Sequence, residues 1–376
     1  MIYLDYNATT PVDQRVLDQM MPYFNEKFGN ASSIQHSFGW DAEEAVGLAR
    51  ESVARLINAR PNEIVFTSGA TEAINMALFG LVEASPKKNH IVTCVSEHKA
   101  VLDSSKQLEK RGIRVTYLGV DGQGSIDLNE LEGSITDQTL MVVVMHANNE
   151  IGVIHPIEEI ATLAHKYRVL LVTDATQSIG KIPFDARNVD VAVCSAHKMY
   201  GPKGIGALFI NKSSNVEMTS RMYGGGHEKG YRSGTLNVPG IVGFGKACDL
   251  CFKEMKEEGA RLKTLRDKLE EELSALEGVT FNSKAPRLPH MTNVSFNAID
   301  GSKLMRSLKG LAVSQGSACT SNIIEPSHVL TGLGLSAEVA LSSLRIGLGR
   351  FTSEQQVNQA IIIIKEAVEK LRLQPS

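Results

Sequence analysis

Short apolar runs alternate with amphipathic stretches along the first two-thirds of the chain. Most of the runs have no polar face and are rich in β-branched residues, which is typical of strands buried on both sides. The stretches between them carry apolar residues at three- and four-residue steps, the spacing of a helix that buries one face. The predicted strands are residues 63–66, 91–95, 114–118, 141–145, 169–173, 191–194 and 207–210.

This alternation predicts an α/β fold, with a mainly parallel seven-stranded sheet flanked by helices. Helices are expected at residues 72–82, 99–111 and 157–166. Near the start of the chain, Thr10 and Pro11 are suited to be the cap and the first position of another helix.

The character of the chain changes after Pro239. A Lys- and Glu-rich helical stretch at residues 243–276 leads into a second mixture of strands and helices from residue 293 onward. We interpret the charge-rich part of this stretch as a solvated connecting helix. The sequence therefore predicts a second, smaller domain.

Composition and charge exclude several classes of protein. With 376 residues, 43% of them apolar, the chain is long enough for two or three structural units. The formal net charge of −3 gives no electrostatic reason to expect nucleic-acid binding, and the longest apolar runs, at 140–145 and 360–364, are too short to cross a membrane. Five scattered cysteines and the absence of a signal-like start favour a reducing, cytoplasmic setting.

Two strand ends carry residues suited to hold a phosphate group. The small residues 67–71, TSGAT, follow one predicted strand and lead into a helix whose first N–H groups are free to bind an anion. Residues 195–198, SAHK, follow another buried strand. Ligands of open α/β sheets bind at the carboxyl ends of the strands. We therefore expect both clusters to face one ligand.

Lys198 and Asp174 add a chemical requirement at this edge. Asp174 ends an apolar run, and Lys198 follows the next strand along the chain. Pyridoxal phosphate needs such a pair, because the lysine amine forms a Schiff base with it and the carboxylate keeps the pyridine nitrogen protonated. The two residues predict a pyridoxal-phosphate site.

Nine motifs, in one order along the chain, carry a family resemblance. They are YLDYNATTP at 3–11, TSGATE at 67–72, EH at 97–98, NNEIG at 148–152, DATQ at 174–177, SAHK at 195–198, RSGT at 232–235, GSACTS at 316–321 and LRIGLGR at 344–350. The set covers nearly the whole chain and resembles the NifS/IscS-type cysteine desulfurases, which are fold-type I pyridoxal-phosphate enzymes.

The resemblance implies a role for each matching residue. Lys198 is expected to hold the cofactor, Asp174 to face its pyridine nitrogen, and His98 to stack on the ring and assist proton transfer. Gln177 is expected to bond to the ring hydroxyl, and Asn149 to lie at the cofactor and hold the substrate. The expected phosphate ligands are Ala70, Thr71, Ser195, His197 and, from the second subunit of a homodimer, Thr235.

The resemblance also implies the substrate and the path of the sulfur. L-cysteine is expected to be held by Asn149 and by Arg345, whose guanidinium pairs with the substrate carboxylate at two points. Cys319 is the expected sulfur acceptor and carries a persulfide. The sulfur then goes to an acceptor protein, such as an iron–sulfur scaffold, or into another thiolation pathway. No stable metal site is expected, although Cys319 could briefly contact an iron–sulfur cluster on the scaffold.

We expect three parts of the chain on this basis. Residues 1–15 contribute to the small domain, residues 16–255 form the large domain that binds pyridoxal phosphate, and residues 256–376 form the small domain that carries the Cys319 loop. The stretch 315–325 resembles that of the members with a long, flexible loop. It is small and polar, with neither helical nor strand periodicity.

Alternatives on the same fold are an aminotransferase, a selenocysteine lyase or related lyase, and a non-catalytic docking paralogue. Cys319 argues against an aminotransferase, and the presence of both Lys198 and Cys319 argues against a docking protein. The pair Cys248 and Cys251 lies in a helical stretch without a second pair, which disfavours a zinc site. The other two cysteines fall in apolar strands and are expected to be buried and inert.

Overall fold

The computed structural model describes residues 1–214, 216–315 and 325–373. Its strands, in chain order, are β1 Ile2–Tyr3, β2 Ile64–Thr67, β3 His90–Cys94, β4 Arg114–Leu118, β5 Thr139–Val143, β6 Leu170–Asp174, β7 Val191–Ser195, β8 Gly206–Ile210, β9 Val279–Phe281, β10 Met291–Phe296, β11 Leu311–Ala312 and β12 Ser343–Gly347. Its α-helices are α1 Gln14–Met20, α2 Pro22–Asn25, α3 Ser37–Leu56, α4 Ala70–Ala84, α5 Lys99–Glu109, α6 Leu128–Ser134, α7 Ile157–Lys166, α8 Val238–Ser274, α9 Gly301–Ser307, α10 His328–Gly332, α11 Ala337–Leu341 and α12 Glu354–Arg372. Within the described ranges, none of these helices has the length and apolar character needed to cross a membrane.

Strands β2 to β8 form one sheet of seven strands, in the order β2-β8-β7-β6-β5-β3-β4. The pairs from β7 to β4 are parallel, whereas β8 runs antiparallel to both β2 and β7. One face packs against α3, α7 and the first half of α8, and the other packs against α4 and α5. All seven predicted strands lie in this sheet within two residues of their predicted bounds, so the prediction of a mainly parallel α/β sheet is confirmed.

The predicted start of the first helix is wrong. Helix α1 begins at Gln14, and the side chain of Asp13 caps it by accepting a backbone N–H of the first turn. The hydroxyl of Thr10 is used elsewhere, because it donates to the backbone oxygen of His197 at 3.0 Å. A tertiary contact has therefore moved the cap three residues along the chain, away from Thr10 and Pro11.

Two hydrophobic cores meet along α8. The first half of this helix, up to Cys251, packs into the core of the seven-stranded sheet. Its second half, from Leu262 onward, packs with β10, β12 and α12 into another core, which also contains Ile2 and Leu4 from the start of the chain. Strand β1, helix α12 and the second half of α8 thus belong to a separate apolar layer.

A buried polar cluster joins the second core to the sheet. Arg350, just after β12, donates to Asp13 at 2.8 Å and to Glu258 of α8 at 2.7 Å. Its guanidinium lies 4.2 Å from the ring centroid of Tyr200, and the Tyr200 hydroxyl donates to Glu258 at 3.0 Å. Because Tyr200 lies two residues after Lys198, this cluster fixes the second core against the turn that carries the lysine.

Arg350→Met should lower the free energy of unfolding by roughly 3–5 kcal/mol, because it leaves the mostly buried carboxylate of Glu258 without its cation, whereas Asp13 keeps its pair with Arg15. The Arg350 side chain is only 10% exposed. Arg15→Met is the matched control: Arg15 also pairs with Asp13, but its side chain is 47% exposed, and its loss should cost less than about 1 kcal/mol. Urea denaturation of the cofactor-free chain, followed by circular dichroism, measures both changes, and equal losses would contradict the structural role of Arg350.

Candidate active site

A cavity of 780 Å³ lies at the carboxyl ends of the sheet strands, between the sheet and the layer that carries β12. This is the edge at which open α/β sheets bind ligands, and the volume suits a cofactor together with a small substrate. Ten of the residues predicted from the sequence line it, namely Ala70, Thr71, His98, Asn149, Asp174, Gln177, Ser195, His197, Lys198 and Arg345.

Two predicted residues are not among these ten. Thr235 is exposed on the surface and does not line the cavity of its own chain. Cys319 lies outside the described residues. The residues that flank its segment do reach the cavity, because Ser314 on one side and Glu325 on the other both line it.

One corner of the cavity is the start of helix α4. Its cap residue, Gly69, has φ 155° and makes no side-chain hydrogen bond to the first turn. A Cβ atom at Gly206 would lie 2.7 Å from the Gly69 Cα atom, so only glycine lets β8 approach this turn. The uncapped backbone N–H groups at Ala70 and Thr71 are suited to bind a phosphate.

The opposite side of this corner comes from the end of β7. Ser195 is the last residue of β7, and His197 follows in the next turn, with its Nδ1 atom 3.1 Å from the hydroxyl oxygen of Thr9. Burial, assisted by the charge of Lys198, lowers the pKa of His197 to about 4. The His197 ring is therefore neutral at pH 7 and contributes a hydrogen bond without adding a charge.

Lys198 lies between the two halves of the cavity. Its Nζ atom donates to the backbone oxygens of Asn7 at 2.6 Å and Ala8 at 2.7 Å. Burial lowers the pKa of Lys198 to about 8, and the nearby positive charge of Arg345 acts in the same direction. A much larger fraction of this amine than of an ordinary lysine is therefore unprotonated near neutral pH, which favours a role as nucleophile or general base.

Asp174 and Gln177 form the floor of the cavity beside Lys198. Asp174 ends β6 and is buried, and its Oδ1 atom accepts the backbone N–H of Thr176 at 2.9 Å. Gln177 is paired with Asn7, because its Nε2 atom donates to the Asn7 backbone oxygen at 3.1 Å and its Oε1 atom accepts from Asn7 Nδ2 at 3.3 Å. Asn7 thus links the lysine and the glutamine.

His98 lies on the cavity wall at the start of helix α5. Its Nδ1 atom accepts the backbone N–H of Ala100 at 3.1 Å, which places the ring proton of neutral His98 on Nε2. Burial lowers the pKa of His98, and the positive charge of Lys198 lowers it further. The negative charge of Asp174 acts in the opposite direction. The ring is therefore held in one orientation, mainly neutral, at the cavity.

The substrate-facing end of the cavity contains Arg345 and Asn149. Arg345 comes from the middle of β12, and its side chain is 8% exposed. One terminal nitrogen donates to the backbone oxygen of Asn149 at 3.2 Å, and the other donates to the carboxylate of Asp5 at 2.9 Å. A fixed guanidinium at this end is suited to bind a carboxylate.

Sequence reasoning assigned no role to several residues of this site. Asn7 bridges Lys198 and Gln177, and Asp5 pairs with Arg345, although both lie within the motif at 3–11. Glu150, in the motif at 148–152, is buried beside the cavity, and burial raises its pKa. The motifs indicated that these two segments belong to the site. They did not show the role of each residue, because the contacts that define it join positions far apart in the chain.

The residues present fit pyridoxal phosphate. The uncapped start of α4 and the neutral His197 offer donors for a phosphate at one end, and Lys198 supplies an amine of lowered pKa at the centre. Asp174 has an oxygen that is free to face a protonated ring nitrogen, since only its Oδ1 atom has a hydrogen-bond partner within the described ranges. All these groups line the same cavity.

Comparisons with known proteins agree with this chemistry. Residues 2–360 match the family model described as Aminotransferase class-V. The chain is 53% identical over 376 residues to the cysteine desulfurase IscS of Anaeromyxobacter sp. (strain Fw109-5), covering 99% of this chain and 93% of the relative. It is 50% identical over 377 residues to the cysteine desulfurase IscS of Edwardsiella ictaluri, with the same coverage.

Solved structures give the same result. A NifS-like protein superposes with a TM-score of 0.91 at 39% identity, covering 98% of this chain and all of that one. A structure described as SspA in complex with cysteine superposes with a TM-score of 0.83 at 36% identity, covering 94% of this chain and 100% of its own. DndA from Streptomyces lividans has a TM-score of 0.79 at 36% identity, covering 91% and 98%.

The lowered pKa of Lys198 can be measured directly. In the cofactor-free protein, trace acetylation of Lys198 by acetic anhydride should increase with pH with a midpoint near 8, well below the ordinary lysine value of 10.5. Peptide mass spectrometry reads the label at this single residue. Arg345→Gln is the control and should move the midpoint upward, because it removes a nearby positive charge. A midpoint at 10 or above in the unmodified chain would contradict the burial argument.

Proposed function

We propose that this chain, which belongs to the class-V aminotransferase family and within it to the cysteine desulfurases, uses Lys198, Arg345 and Cys319 to move sulfur from L-cysteine to a persulfide. The chain is a pyridoxal-phosphate-dependent enzyme. The observation that carries the assignment of residues is the shared cavity: Lys198, Asp174 and Arg345 line it together with the residues that flank the Cys319 segment.

The cofactor would be held at both ends of its ring system. The N–H groups of Ala70 and Thr71, with Ser195 and His197, would bind the phosphate, and Asp174 would pair with the ring nitrogen. Gln177 would bond to the ring hydroxyl, and His98 would lie against the ring. Bound pyridoxal phosphate supplies an electron sink for the electrons of the substrate α-carbon.

Lys198 is the proposed base. Lys198 would hold the cofactor between turnovers, and its amine would be free to act as a base once the substrate is bound. A lysine with a pKa of about 8 is then able to remove the proton from the substrate α-carbon near neutral pH. His98, which is mainly neutral with its proton on Nε2, assists the later proton transfers.

Arg345 and Asn149 orient the substrate. The guanidinium binds the carboxylate of L-cysteine, and Asn149 lies beside it, since its backbone oxygen already accepts from Arg345. The carboxylate of the substrate is fixed at Arg345 and its amine at the cofactor. These two contacts together define the position of the substrate thiol. Arg345 and Asn149 thus bind and orient the substrate and take no part in proton transfer.

Cys319 is the proposed sulfur acceptor. Its thiolate attacks the sulfur of L-cysteine, a sulfur–sulfur bond forms, and the carbon–sulfur bond breaks with its electron pair left on the substrate carbon. Protonation of that carbon gives L-alanine, and Cys319 keeps the persulfide. The carbon is reduced while the sulfur is oxidised, so the reaction needs no further redox partner.

The persulfide is then passed to an acceptor protein, for which we propose an iron–sulfur scaffold. The support is that relatives named cysteine desulfurase IscS reach 50–53% identity over nearly the whole chain, whereas SspA and DndA match at 36%. We also propose a reducing, cytoplasmic setting, because transfer through Cys319 needs a free thiol.

A homodimer with shared active sites completes the proposal. Large apolar side chains are exposed together in one part of the chain, at Phe24, Phe28, Ile34, Phe38 and Trp40. A group of this kind is typical of a surface that another protein covers, and we propose a second copy of this chain as the partner. Thr235, exposed in its own subunit, would then reach the phosphate in the partner's cavity.

The proposed division into domains follows the two cores. The large domain at 16–255 would contain the sheet, and the small domain at 256–376, with residues 1–15, would contain the second core. This is supported by the packing of α8, whose first half joins one core and whose second half joins the other. Arg345 comes from the second core and Lys198 from the first, so the active site would lie between the domains.

Cys319→Ser should lower sulfide release from L-cysteine with a thiol reductant by at least a hundredfold, roughly the contribution of a lost nucleophile. The variant should still bind the cofactor and exchange the α-proton of L-alanine with deuterated water, because that step uses Lys198. Cys251→Ala is the control and should retain turnover, since Cys251 is fully buried. Sulfide release by Cys319→Ser at nearly the unmodified rate would favour direct elimination by a lyase.

Trp40→Glu should produce monomers in sedimentation velocity and lower turnover, because a charge would be placed in the proposed apolar interface. Leu373→Glu is a matched control, since Leu373 is also an exposed apolar residue but lies far along the chain from this group. A fully active monomer would contradict shared sites.

Sharing of the sites is tested by mixing two inactive chains. Lys198→Ala lacks the base, and Thr235→Asp should repel the phosphate in the partner's cavity. Co-expression should restore activity, because a mixed dimer contains one site with both Lys198 and Thr235. If Thr235 acts within its own subunit, the mixed dimer has no complete site and stays inactive.

A further inference from the structure

Arg345 is already paired with a carboxylate of its own chain. Its Nη2 atom donates to Asp5 Oδ1 at 2.9 Å, and its Nη1 atom donates to the backbone oxygen of Asn149 at 3.2 Å. The Arg345 side chain is 8% exposed and that of Asp5 is 16% exposed, so this ion pair is mostly removed from water. The group that Asp5 presents is the same kind of group that Arg345 is proposed to bind on the substrate.

Asp5 is firmly held in this position. Its backbone lies alongside β12 through a bridge to Gly347, two residues after Arg345. The Asp5 backbone oxygen accepts from the Tyr3 hydroxyl at 3.0 Å and from the backbone N–H of Ala8 at 2.9 Å. Its second carboxylate oxygen, Oδ2, accepts from the hydroxyl of Ser314 at 2.8 Å. With both its backbone and side chain held, Asp5 remains beside the guanidinium when a ligand arrives.

A substrate carboxylate must therefore share Arg345 with Asp5. Two carboxylates beside one cation repel each other, and the repulsion is stronger where water is largely excluded. One of the two terminal nitrogens is also engaged by Asp5, which reduces the two-point grip available to the ligand. Asp5 thus keeps the buried cation neutralised in the resting chain and weakens its hold on an incoming anion.

We propose that Asp5 is a positioning residue, the resident counter-ion of Arg345, and that its charge sets how weakly the cavity holds the carboxylate of an amino acid. This proposal rests on the role of Arg345 proposed above. Substrate and product carry the same carboxylate, so an unopposed Arg345 would hold both tightly. Binding energy that is equal in the ground state and the transition state gives no gain in kcat, and tight binding of the product slows its release. Asp5 favours departure of L-alanine over tight retention.

Asp5→Asn isolates the charge. The asparagine oxygen is able to accept from Arg345, and its NH2 group is able to donate to the hydroxyl oxygen of Ser314, so both contacts of the carboxylate have a neutral replacement. Ser314→Ala is the matched control, because it removes one hydrogen bond of Asp5 and leaves the charge in place. Asp5→Ser is a second neutral variant with a smaller side chain.

The test uses the holoenzyme and three readouts. In Asp5→Asn, the dissociation constant of L-alanine from calorimetry and the KM for L-cysteine should both fall about tenfold, the size of one charge-assisted hydrogen bond, while kcat does not rise. The inhibition constant of cysteamine, which has the amine and thiol of cysteine but no carboxylate, should stay unchanged. Asp5→Ser should shift L-alanine binding in the same direction, and Ser314→Ala should not tighten it.

Three results would overturn the proposal. Unchanged or weaker L-alanine binding in both neutral variants would show that Asp5 does not oppose the ligand. Equal tightening of cysteamine would show a general change of the cavity. Tighter binding of L-alanine by Ser314→Ala would show that the effect comes from the hydrogen bond between Ser314 and Asp5 and not from the charge of Asp5.

Arg345→Lys separates this proposal from the one on which it rests. If Arg345 binds the carboxylate, the lysine variant should raise the KM for L-cysteine and weaken the binding of L-alanine. An ammonium group lacks the planar pair of N–H donors with which a guanidinium binds a carboxylate. If that variant leaves both constants unchanged, the assignment of Arg345 fails, and the proposal for Asp5 fails with it. If Arg345→Lys weakens L-alanine binding while Asp5→Asn and Asp5→Ser both leave it unchanged, only the proposed role of Asp5 is contradicted.

Discussion

The buried cluster around Arg350 is the contact on which the geometry of the site depends. It joins the cap of α1, the middle of α8 and the ring of Tyr200, and it brings the strand that carries Arg345 to the turn that carries Lys198. Neither core alone contains both of these cations. A buried ion network of this kind gains little net stability, because desolvation offsets its Coulomb energy. Its consequence is a fixed relative position of the two layers, which an apolar cluster of Ile151 and Val153 with Val329 and Leu330 also supports.

That fixed position also explains the electrostatics of the cavity. Bringing Arg345 close to the buried amine of Lys198 places two cations in a space with little water, and the pKa of Lys198 falls to about 8 through burial and through Arg345. Asp174 and Asp5 oppose this shift. The pKa of the lysine proposed as the base thus depends on the residue proposed to bind the substrate, so the strength of the base and the binding of the carboxylate are linked.

Strand periodicity and strand ends were predictable from the sequence, whereas long-range contacts were not. The buried runs predicted every strand of the main sheet, and Asp174 and Ser195 could be placed at the cavity because strand ends meet at one edge. The prediction of a helix start at Thr10 and Pro11 was wrong. It considered only the local preference for capping residues, whereas the Thr10 hydroxyl bonds to the distant His197. Asp5 and Asn7 were missed as site residues for the same reason, because their partners are far away in the chain. The roles of Thr235 and Cys319 remain predictions from motifs.

The burial of the other cysteines bears on which thiol handles the sulfur. Cys94, Cys194, Cys248 and Cys251 are all buried, and burial raises the pKa of each thiol, to about 11 for Cys94 and Cys251 and to about 12 for Cys194. A thiol with such a pKa is almost entirely protonated at neutral pH and is a poor nucleophile. The thiolate that attacks the substrate sulfur must therefore come from outside the packed core. Ser314 and Glu325, which lie on either side of the Cys319 segment, both line the cavity, and this supports the proposal that Cys319 supplies the thiolate.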